Sequence, residues 1–254
     1  MGRLDGKVAV ITGGAGLIGT TAAELFVSEG ASVTLMDRDD DALREVARRI
    51  GSRVSVVAAD VTRPADVGRG FDTTTAEHGG FDVLLLNAGV EGVVKPIPDY
   101  PLDAFRQVMD VNVVGVFLGL QLGMPVLQAR GGGSVVISSS IAGLKGFAGA
   151  AAYVTSKHAV VGLMRVAALE GAAHGIRVNT VNPAPIEGRM IRSLEEGLAP
   201  GAPDQAREGL LGMIPFKRYG AASDVARLML FLASDDGRYC TGGVYPVDGG
   251  MSAA

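Results

Sequence analysis

The sequence predicts an α/β fold in which a seven-stranded parallel sheet is covered by helices on both faces. Short runs rich in Val, Ile and Leu alternate with helical patterns along most of the 254 residues, and this alternation is typical of doubly wound sheets. A glycine-rich segment directly follows the first apolar run. The length suits one large domain better than two small ones, so we expect a single domain over residues 1–254.

The predicted strands are short, apolar and bounded by turn residues. They lie at 7–12, 32–37, 54–58, 82–87, 133–139, 176–181 and 243–247. Helical patterns alternate with them at 17–29, 40–50, 64–78, 101–129, 151–174 and 222–234. The one long irregular stretch, 183–215, contains five prolines and a helical fragment. Because long irregular stretches in compact domains are often lids, we expect a substrate lid at 184–215.

Charge and cysteine content exclude several classes of function. The formal net charge is −4, which gives no basic field for nucleic acid or anionic lipid. Cys240 is the only cysteine, which excludes an internal disulfide and fits a reducing compartment. The N-terminal residues show no apolar signal core, and no apolar run approaches the roughly 20 residues of a membrane span. We expect a cytoplasmic protein with no nucleic-acid partner and no membrane partner.

A metal site is not expected. The three histidines, His78, His158 and His174, lie far apart in the sequence and form no His-x-x-x-His pair. One cysteine cannot build a thiolate site. No Gly-x-Ser-x-Gly elbow presents a nucleophilic serine, which argues against hydrolase chemistry.

The turn between the first strand and the first helix has the composition of a phosphate-binding loop. It reads Gly13-Gly14-Ala15-Gly16-Leu17-Ile18-Gly19. Glycines at a strand-to-helix turn let the backbone approach a pyrophosphate, which the N–H groups and dipole of the helix start then hold. Taken alone, a glycine-rich turn of this kind can equally be a simple hinge.

The second predicted strand ends in a carboxylate. Asp37 follows the glycine turn by about 20 residues, where it can accept hydrogen bonds from the ribose hydroxyls of an adenosine. Arg38 follows it and could reach a ribose phosphate if Asp37 moved away. The alternative is that Asp37 only caps the next helix, as Asp39 or Asp40 could equally do.

Tyr153 and Lys157 place a phenol and an ammonium one helical turn apart. Residues four apart share a helix face, so the Lys157 charge can lie near the Tyr153 oxygen and favour its ionised form. A phenol with a reference pKa of about 10 needs such help to act as an acid or base near neutral pH. An isolated pair of this kind is common on surface helices.

Polar or small residues also follow the other strands. Ser140 comes after the apolar run Val135-Val136-Ile137, at the carboxyl end of a strand, where open parallel sheets bind ligands. Asp60 and Val61 follow the third strand, and Asn87, Ala88 and Gly89 end the fourth. Each could be an ordinary turn residue. Asn112 lies in a poor helix-forming run, where its amide could interrupt the helix and hold water or could be buried and internally paired.

In this order and spacing, these motifs resemble those of the short-chain dehydrogenase/reductase family over nearly the whole chain. The resemblance implies a Rossmann fold and a catalytic set of Ser140, Tyr153 and Lys157, with Asn112 supporting a proton-relay water. It further implies that Tyr153 and Lys157 also contact the cofactor, together with Pro183, Ala184 and Ile186. The cofactor implied is NAD(H), because Asp37 would repel the 2′-phosphate of NADP(H).

Two departures from the family pattern stand out. Most dehydrogenases of the family carry glycine at the position of Leu17 and a non-glycine at that of Gly16, whereas Gly16 and Gly19 have the spacing of its epimerase-like members. After Pro183 the family usually has Gly and later Thr, and this chain has Ala184 and Gly188. The hydroxyl that normally contacts the cofactor there is absent, so Ile186 backbone groups are expected to take over.

The resemblance implies hydride transfer between nicotinamide and a ketone or secondary alcohol, and a homotetramer. The segments around the hydride site are apolar, which favours a compact apolar substrate; Glu91, Lys145 and Arg189 are interpreted as solvated loop residues. The apolar segments 113–118 and 160–164 predict an oligomer interface. Alternatives are a 3-oxoacyl thioester reductase, an NAD-assisted epimerase or dehydratase, and a non-catalytic nucleotide-sensing scaffold.

Overall fold

Seven parallel strands form one sheet in the order β3-β2-β1-β4-β5-β6-β7. The computed structural model describes residues 2–253. The strands are β1 (Val8–Thr12), β2 (Ser32–Asp37), β3 (Val54–Ala58), β4 (Val83–Leu86), β5 (Gly133–Ser138), β6 (Ile176–Pro183) and β7 (Val244–Val247). The predicted doubly wound sheet is confirmed, and every predicted strand is present within two residues of its expected bounds.

Helices cover both faces of the sheet. They are α1 (Leu17–Ser28), α2 (Asp40–Ile50), α3 (Pro64–His78), α4 (Leu102–Met109), α5 (Gly115–Ala129), α6 (Ala151–Ala172), α7 (Arg189–Leu198), α8 (Pro203–Gly212) and α9 (Ala222–Ala233). Helices α1, α2 and α9 contribute to the apolar cluster on one face, and α3, α5 and α6 to the cluster on the other. The strands are apolar in continuous runs because each is buried on both sides.

Two helical segments differ from the sequence prediction. The predicted helix 101–129 is interrupted by a π turn at Asp110–Val114. The stretch 183–215, expected to hold one helical fragment, forms the two helices α7 and α8. The prolines of this stretch were expected to interrupt helical structure. Pro203 instead lies at the start of α8, where its missing N–H costs no hydrogen bond.

The stretch Leu102–Ala129 is long and apolar enough, by length and composition alone, to cross a membrane, with a hydropathy of 1.5. This finding corrects the expectation that no run approaches that length. In the fold, Val116, Leu118, Leu120 and Leu127 of this stretch are buried in the cluster on one face of the sheet. A helix that covers a sheet passes the same hydropathy test, and this packing accounts for its apolar composition.

Apolar side chains are exposed on the outer surfaces of α5 and α6. Phe117 is 46% exposed, Val166 54% and Leu169 81%. In the predicted interface segment of α6, by contrast, Val160 and Met164 are completely buried in the chain's own core. The apolar surplus on α6 therefore lies further along the helix than the sequence indicated.

The order of winding reverses between β1 and β4, which are neighbours in the sheet. In open parallel sheets this position leaves a crevice beyond the carboxyl ends of the strands, where ligands bind. The loops that follow β1, β4, β5 and β6 all open into this crevice. The fold thereby gathers segments from distant parts of the sequence at one edge of the sheet.

Candidate active site

A cleft of about 1690 Å³ lies at the carboxyl ends of the strands. It brings together most of the residues singled out in the sequence. Those that line it are Gly13, Gly16, Leu17, Ile18, Asp37, Arg38, Asp60, Val61, Asn87, Ala88, Gly89, Ser140, Tyr153, Lys157, Pro183, Ala184 and Ile186. Ala15, Gly19 and Asn112 do not line the cleft themselves. Each contacts a residue that does: Ala15 contacts Asp37, Gly19 contacts Gly13, and Asn112 contacts Val90.

The glycine turn has the shape of a cradle that side chains would fill. Gly13 has a φ of 66°, and a Cβ added there would lie 2.8 Å from the Ala88 Cα. A Cβ on Gly19 would collide with the Gly13 carbonyl oxygen. A Cβ on Gly14 would lie 2.8 Å from the Leu35 Cβ. The non-standard position of Gly16 therefore leaves the turn intact, because these three crowded positions are all still glycine.

The start of α1 is suited to an anion. Its N-cap is Gly16, which has no side chain to cap the helix, and its first turn contains no acidic residue. The first helical hydrogen bond runs from the Thr20 N–H to the Gly16 carbonyl at 2.8 Å. The N–H groups of residues 17–19 precede this bond and have no acceptor within the helix. Together with the positive end of the helix dipole, they fit the pyrophosphate of a dinucleotide.

Asp37 lies at the end of β2 beside the glycine turn. Its Oδ2 accepts a hydrogen bond from the Ala15 N–H at 3.2 Å. The alternative of a helix cap is wrong, because Asp39 is the N-cap of α2 and accepts from the Ala42 N–H at 3.0 Å. Asp37 is therefore held at the cleft by the turn, in a position that fits a ribose of the dinucleotide.

Asp60 and Asn87 organise the floor of the same half of the cleft. Asp60 Oδ1 accepts from the Thr62 N–H at 2.9 Å and from its hydroxyl at 2.8 Å, and the backbone hydrogen bond from Thr62 lowers the pKa of Asp60. Asn87 accepts from the Ser138 hydroxyl at 2.9 Å and donates to the Gly13 carbonyl at 3.3 Å. These bonds connect the ends of β4 and β5 to the glycine turn.

Ser140 and Tyr153 meet in the apolar half of the cleft. Burial raises the pKa of the Tyr153 phenol, while its hydrogen bond with the Ser140 hydroxyl opposes the shift and the Glu91 carboxylate adds to it. The expectation that Lys157 favours the ionised phenol is not met in this arrangement. Tyr153 is therefore protonated at neutral pH, which suits a group that donates a proton to a carbonyl oxygen.

Lys157 lies one turn along α6 and is only 4% exposed. Its Nζ donates to the Ser138 carbonyl at 2.8 Å and lies 5.5 Å from the centroid of the Tyr153 ring. Burial lowers the pKa of the ammonium to about 8. The amine lies close to Gly89, where an added Cβ would be 3.4 Å from Nζ, so the small residue leaves it access to the cleft.

Asn112 lies in the π turn with its side chain fully paired. Its Oδ1 accepts from the Val90 N–H at 2.8 Å, and its Nδ2 donates to the Val90 carbonyl at 2.9 Å and to the Ser156 hydroxyl at 3.0 Å. The sequence left open whether this amide holds water or is internally satisfied, and the structure has the second arrangement. Its contribution to the site is to fix the Val90 backbone against α6.

The segment after β6 forms a helical cover over the cleft. Helices α7 and α8 pack against each other and enclose a small apolar cluster with Ile141, Ile191 and Met251. Met190, Ile191, Leu194 and Leu198 all line the cleft, as the sequence predicted for residues around the hydride site.

A charged network ties this cover together. Glu195 of α7 is 5% exposed and accepts from the Tyr219 hydroxyl at 2.7 Å. Arg207 of α8 lies 3.6 Å from the Glu195 carboxylate and pairs with both oxygens of Glu187 at 3.2 and 2.7 Å. The Arg207 guanidinium also covers the Tyr219 ring at 4.5 Å. No sequence motif marks this network, because its members are brought together only by the fold.

Two residues that were interpreted as solvated loop positions have defined partners. The Glu91 side chain is only 17% exposed and pairs with Arg189 at 3.3 Å across the cleft mouth. Lys145 donates to the Met251 carbonyl at 2.8 Å. The interpretation as solvated loop residues is therefore wrong for Glu91 and for Lys145. Met251 itself lines the cleft and was not identified from the sequence, since nothing local marks a C-terminal methionine as part of a pocket.

The segment Pro183 to Gly188 follows the catalytic edge of the sheet. The Glu187 N–H donates to the Gly220 carbonyl, and the Gly220 N–H donates to the Pro185 carbonyl, both at 3.0 Å. These bonds use the neighbours of Ile186, which lies in an isolated β-bridge with Gly220. This geometry is compatible with the predicted contact between the Ile186 backbone and the cofactor. Among residues 2–253, no cluster of three His, Cys, Asp or Glu side chains could hold a metal ion.

Comparison with known proteins agrees with this geometry. A family model described as enoyl-(acyl carrier protein) reductase matches residues 14–252. Levodione reductase from Leifsonia aquatica is 35% identical, over 99% of this chain and 96% of its own length. The chain belongs to the short-chain dehydrogenase/reductase family. It is an oxidoreductase, as the resemblance implied.

Other relatives and solved structures span the whole fold. Cyclohexanol dehydrogenase from Acinetobacter sp. (strain SE19) is 33% identical over 99% of this chain and 97% of its own length. The crystal structure of levodione reductase matches with a TM-score of 0.96, covering 99% of this chain and 100% of that one. NAD⁺-bound xylitol dehydrogenase matches with a TM-score of 0.92 at 31% identity, covering 97% and 99%.

Proposed function

We propose that this protein is an NAD(H)-dependent oxidoreductase that interconverts a compact, largely apolar ketone and the corresponding secondary alcohol. The observation that carries the proposal is the meeting of the Ser140 hydroxyl and the Tyr153 phenol, above buried Lys157, at one end of a cleft whose other end is the glycine turn and Asp37. The NAD⁺-bound relative supports the choice of cofactor.

The residues of the cleft would divide the dinucleotide among them. The glycine turn and the start of α1 would hold the pyrophosphate, with Asp37 on the adenosine ribose and Asp60 and Val61 near the adenine. Asn87, Ala88 and Gly89 leave room for the nicotinamide half, where Pro183, Ala184 and Ile186 border the cleft. The Asp37 carboxylate disfavours a 2′-phosphate, which supports NAD(H) over NADP(H).

The bound nicotinamide supplies or accepts the hydride. In the reductive direction, Tyr153 gives its phenolic proton to the substrate oxygen, for which its raised pKa makes it protonated beforehand. Ser140 donates a hydrogen bond to the same oxygen and holds it beside the phenol. Lys157, whose amine reaches the cleft beside Gly89, would contact the dinucleotide, and Asn112 keeps the surrounding backbone in place.

An apolar pocket supports the substrate class. Near Ser140 and Tyr153 the cleft is lined mostly by apolar residues of the 90–94 loop, the 141–147 loop and the lid, with charged exceptions that include Glu91, Lys145 and Arg189. Glu91 pairs with Arg189 and Lys145 donates to the Met251 carbonyl, so burial of apolar surface, at about 25 cal/mol per Å², favours an apolar substrate over a sugar. A relative that acts on cyclohexanol agrees with this choice, although one that acts on xylitol shows that the family also takes polyols.

The charge pattern argues against a carrier-bound acyl thioester. Arg130 pairs with Asp82, and Arg177 donates to backbone carbonyls of Gly237 and Ser234. At the cleft mouth, Arg189 pairs with Glu91. Arginines that are held by carboxylates or by backbone carbonyls in this way do not gather into the basic patch that docking of an acidic carrier needs.

A cofactor-linked substrate panel tests the proposal. NADH absorbance is followed with cyclohexanone, an aromatic ketone, an acetoacetyl thioester and an aldose, each also tested with NADPH. We expect the highest kcat/KM for a cyclic or aromatic ketone with NADH. A higher value for the thioester or the aldose would overturn the substrate class. Isomerisation without a net change in NADH would point to an epimerase, and binding of NADH without any turnover to a nucleotide-sensing scaffold.

We also propose that the chain forms a homo-oligomer, most simply a tetramer, in the cytoplasm, with the segment 184–215 as the substrate lid. Exposed Phe117, Val166 and Leu169 on adjacent helices support an interface. Light scattering of the wild type should give a mass above that of the 26.0 kDa chain, and Phe117→Glu should lower it. A wild type that is monomeric at micromolar concentration would contradict the proposal.

A further inference from the structure

The two departures from the family pattern, Leu17 and Gly188, lie against each other. Leu17 is the first residue of α1 and is 51% exposed in the cleft. Gly188 is the N-cap of α7, the first helix of the lid. A Cβ added to Gly188 would lie 2.8 Å from the Cδ2 atom of Leu17. The glycine turn and the lid thus touch through one leucine methyl group.

The backbone of Gly188 does not itself require glycine. Its φ of 162° and ψ of −171° describe an extended conformation that any residue adopts. Within the described residues, Leu17 Cδ2 is the one atom within 4 Å of the added Cβ, apart from chain neighbours. The constraint on a β-carbon at position 188 is therefore the space that Leu17 occupies.

A large residue at 17 thus coincides with a missing side chain at 188. A β-carbon at 188 would have to displace the flexible end of Leu17. Leu17 is fixed at the start of α1 and its exposed side faces the cleft, so the displaced methyl group would move toward the groove lined by Gly13, Gly16 and Asp37. The fit between the two residues keeps that groove open while the lid is in contact with the turn.

We propose that Leu17 is a positioning residue that couples the lid to the dinucleotide site, and that Gly188 is its socket. The inference rests on the proposed function, since it assigns a role to the contact in holding a dinucleotide. The apolar contact favours the lid position in which α7 borders the cleft, so it slows dissociation of a dinucleotide already held by the glycine turn. It leaves association largely unchanged, because it forms once the lid has closed.

A double-mutant cycle on purified protein tests the coupling through NADH binding, measured by fluorescence titration and stopped-flow dissociation, without turnover. We expect Gly188→Ala to raise the NADH Kd about fivefold when Leu17 is present and less than twofold in the Leu17→Ala background. Couplings of that size are typical of residues in contact. Leu17→Ala alone should raise the dissociation rate about threefold, within the same range, and Leu17→Met should restore it.

Leu102→Ala is a matched control, since Leu102 is also the first residue of a helix and is 59% exposed. The cycle of Leu102→Ala with Gly188→Ala should be additive. Thermal melts of every variant check that each is folded, and hydrogen exchange of α7 in the nucleotide-free protein should be faster in Leu17→Ala. Additive effects of Leu17→Ala and Gly188→Ala on Kd would overturn the coupling, whereas a wild type that binds no NADH would overturn the proposed function instead.

Discussion

The two ends of the cleft are built in different ways. The end with the glycine turn comes from one continuous stretch, β1–α1–β2, joined by bonds such as that from the Ala15 N–H to Asp37. The other end, beneath α7 and α8, is assembled from the loops after β4 and β5, from these two helices, and from Met251. The bond between Ala15 and Asp37 spans 22 residues of sequence, whereas the bond between Lys145 and Met251 spans 106.

This difference explains why one end can be interpreted from sequence and the other cannot. A phosphate cradle needs glycines at fixed spacing beside a helix start, and that requirement is visible in a short motif. An apolar pocket needs only volume and shape, which many combinations of side chains supply. The chemistry of the family is thus fixed in local motifs, while substrate choice depends on long-range packing that varies between relatives.

The largest expected effect is at the junction of the two ends. Tyr153→Phe removes the proton donor and should lower kcat by about 10²–10⁴-fold, with the NADH Kd nearly unchanged. Steady-state kinetics and NADH titration measure the two quantities separately. Tyr239→Phe, at a fully exposed phenol, serves as the control and should have no effect. Residual activity of Tyr153→Phe above a tenth of the wild type would refute the assignment.

A change confined to the glycine-turn end should alter cofactor choice alone. Asp37→Ser removes the charge that opposes a 2′-phosphate, so the ratio of kcat/KM for NADH over NADPH should fall about tenfold or more, which is a change of about 1.4 kcal/mol. The KM for the ketone should stay the same. Asp39→Ser, at the neighbouring N-cap, is the control and should leave both the ratio and the stability nearly unchanged, because serine also caps a helix start. A wild type that already prefers NADPH would contradict the prediction.

Lys157 lies between the two ends of the cleft. Burial of its ammonium destabilises the fold by an amount that depends on pH. Burial lowers the pKa of Lys157 to about 8 in the fold, from an ordinary value of 10.5, so the folded state binds the proton less well than the unfolded state. Between these pH values the unfolded chain holds more protons, and stability from this group rises with pH. Lys157→Met should therefore be more stable than the wild type at pH 7, by about 1–3 kcal/mol, and by less at pH 10.

Denaturant unfolding at the two pH values measures this difference, and comparing variant with wild type cancels the titration of other groups. Lys157→Met should also abolish turnover and weaken NADH binding, and Lys157→Ala should weaken NADH binding in the same way. A stability gain that grew from pH 7 to pH 10 would have the wrong sign and would exclude a desolvated ammonium.

The smallest effect is expected at the lid end. Glu195→Gln removes the buried charge that faces Arg207 and Tyr219, so the packing of α7 on α8 should loosen and the ketone KM should rise about threefold, an effect of under 1 kcal/mol. The NADH Kd should change by less than the ketone KM, since the contact between Leu17 and Gly188 is retained in this variant. Arg44→Gln, at an exposed helical ion pair, is the control. A shift in NADH affinity with an unchanged ketone KM would mean that the two ends are not separable.

The sequence was sufficient for the sheet and for the residues at its carboxyl edge. Continuous Val, Ile and Leu runs predict strands because a strand covered on both faces has no alternation. It was misleading at Pro203, because proline interrupts the interior of a helix but is favoured at its first position, where Pro203 lies. It was wrong about Glu91 and silent on Glu195, because burial and pairing of a carboxylate depend on arginines that approach from other segments. The pKa of Tyr153 also differs from expectation, since burial raises it more than the hydrogen bond with Ser140 lowers it.

The π turn at Asp110–Val114 sets the rotational phase of everything that follows it in α5. Its closing bond runs from the Gly115 N–H to the Asp110 carbonyl, which encloses one residue more than an α-helical turn. Each residue of an α-helix advances by about 100°, so in a regular helix this extra residue would change which side chains of α5 face the core. The wider turn absorbs the extra residue locally, and the fifteen residues of α5 keep their faces.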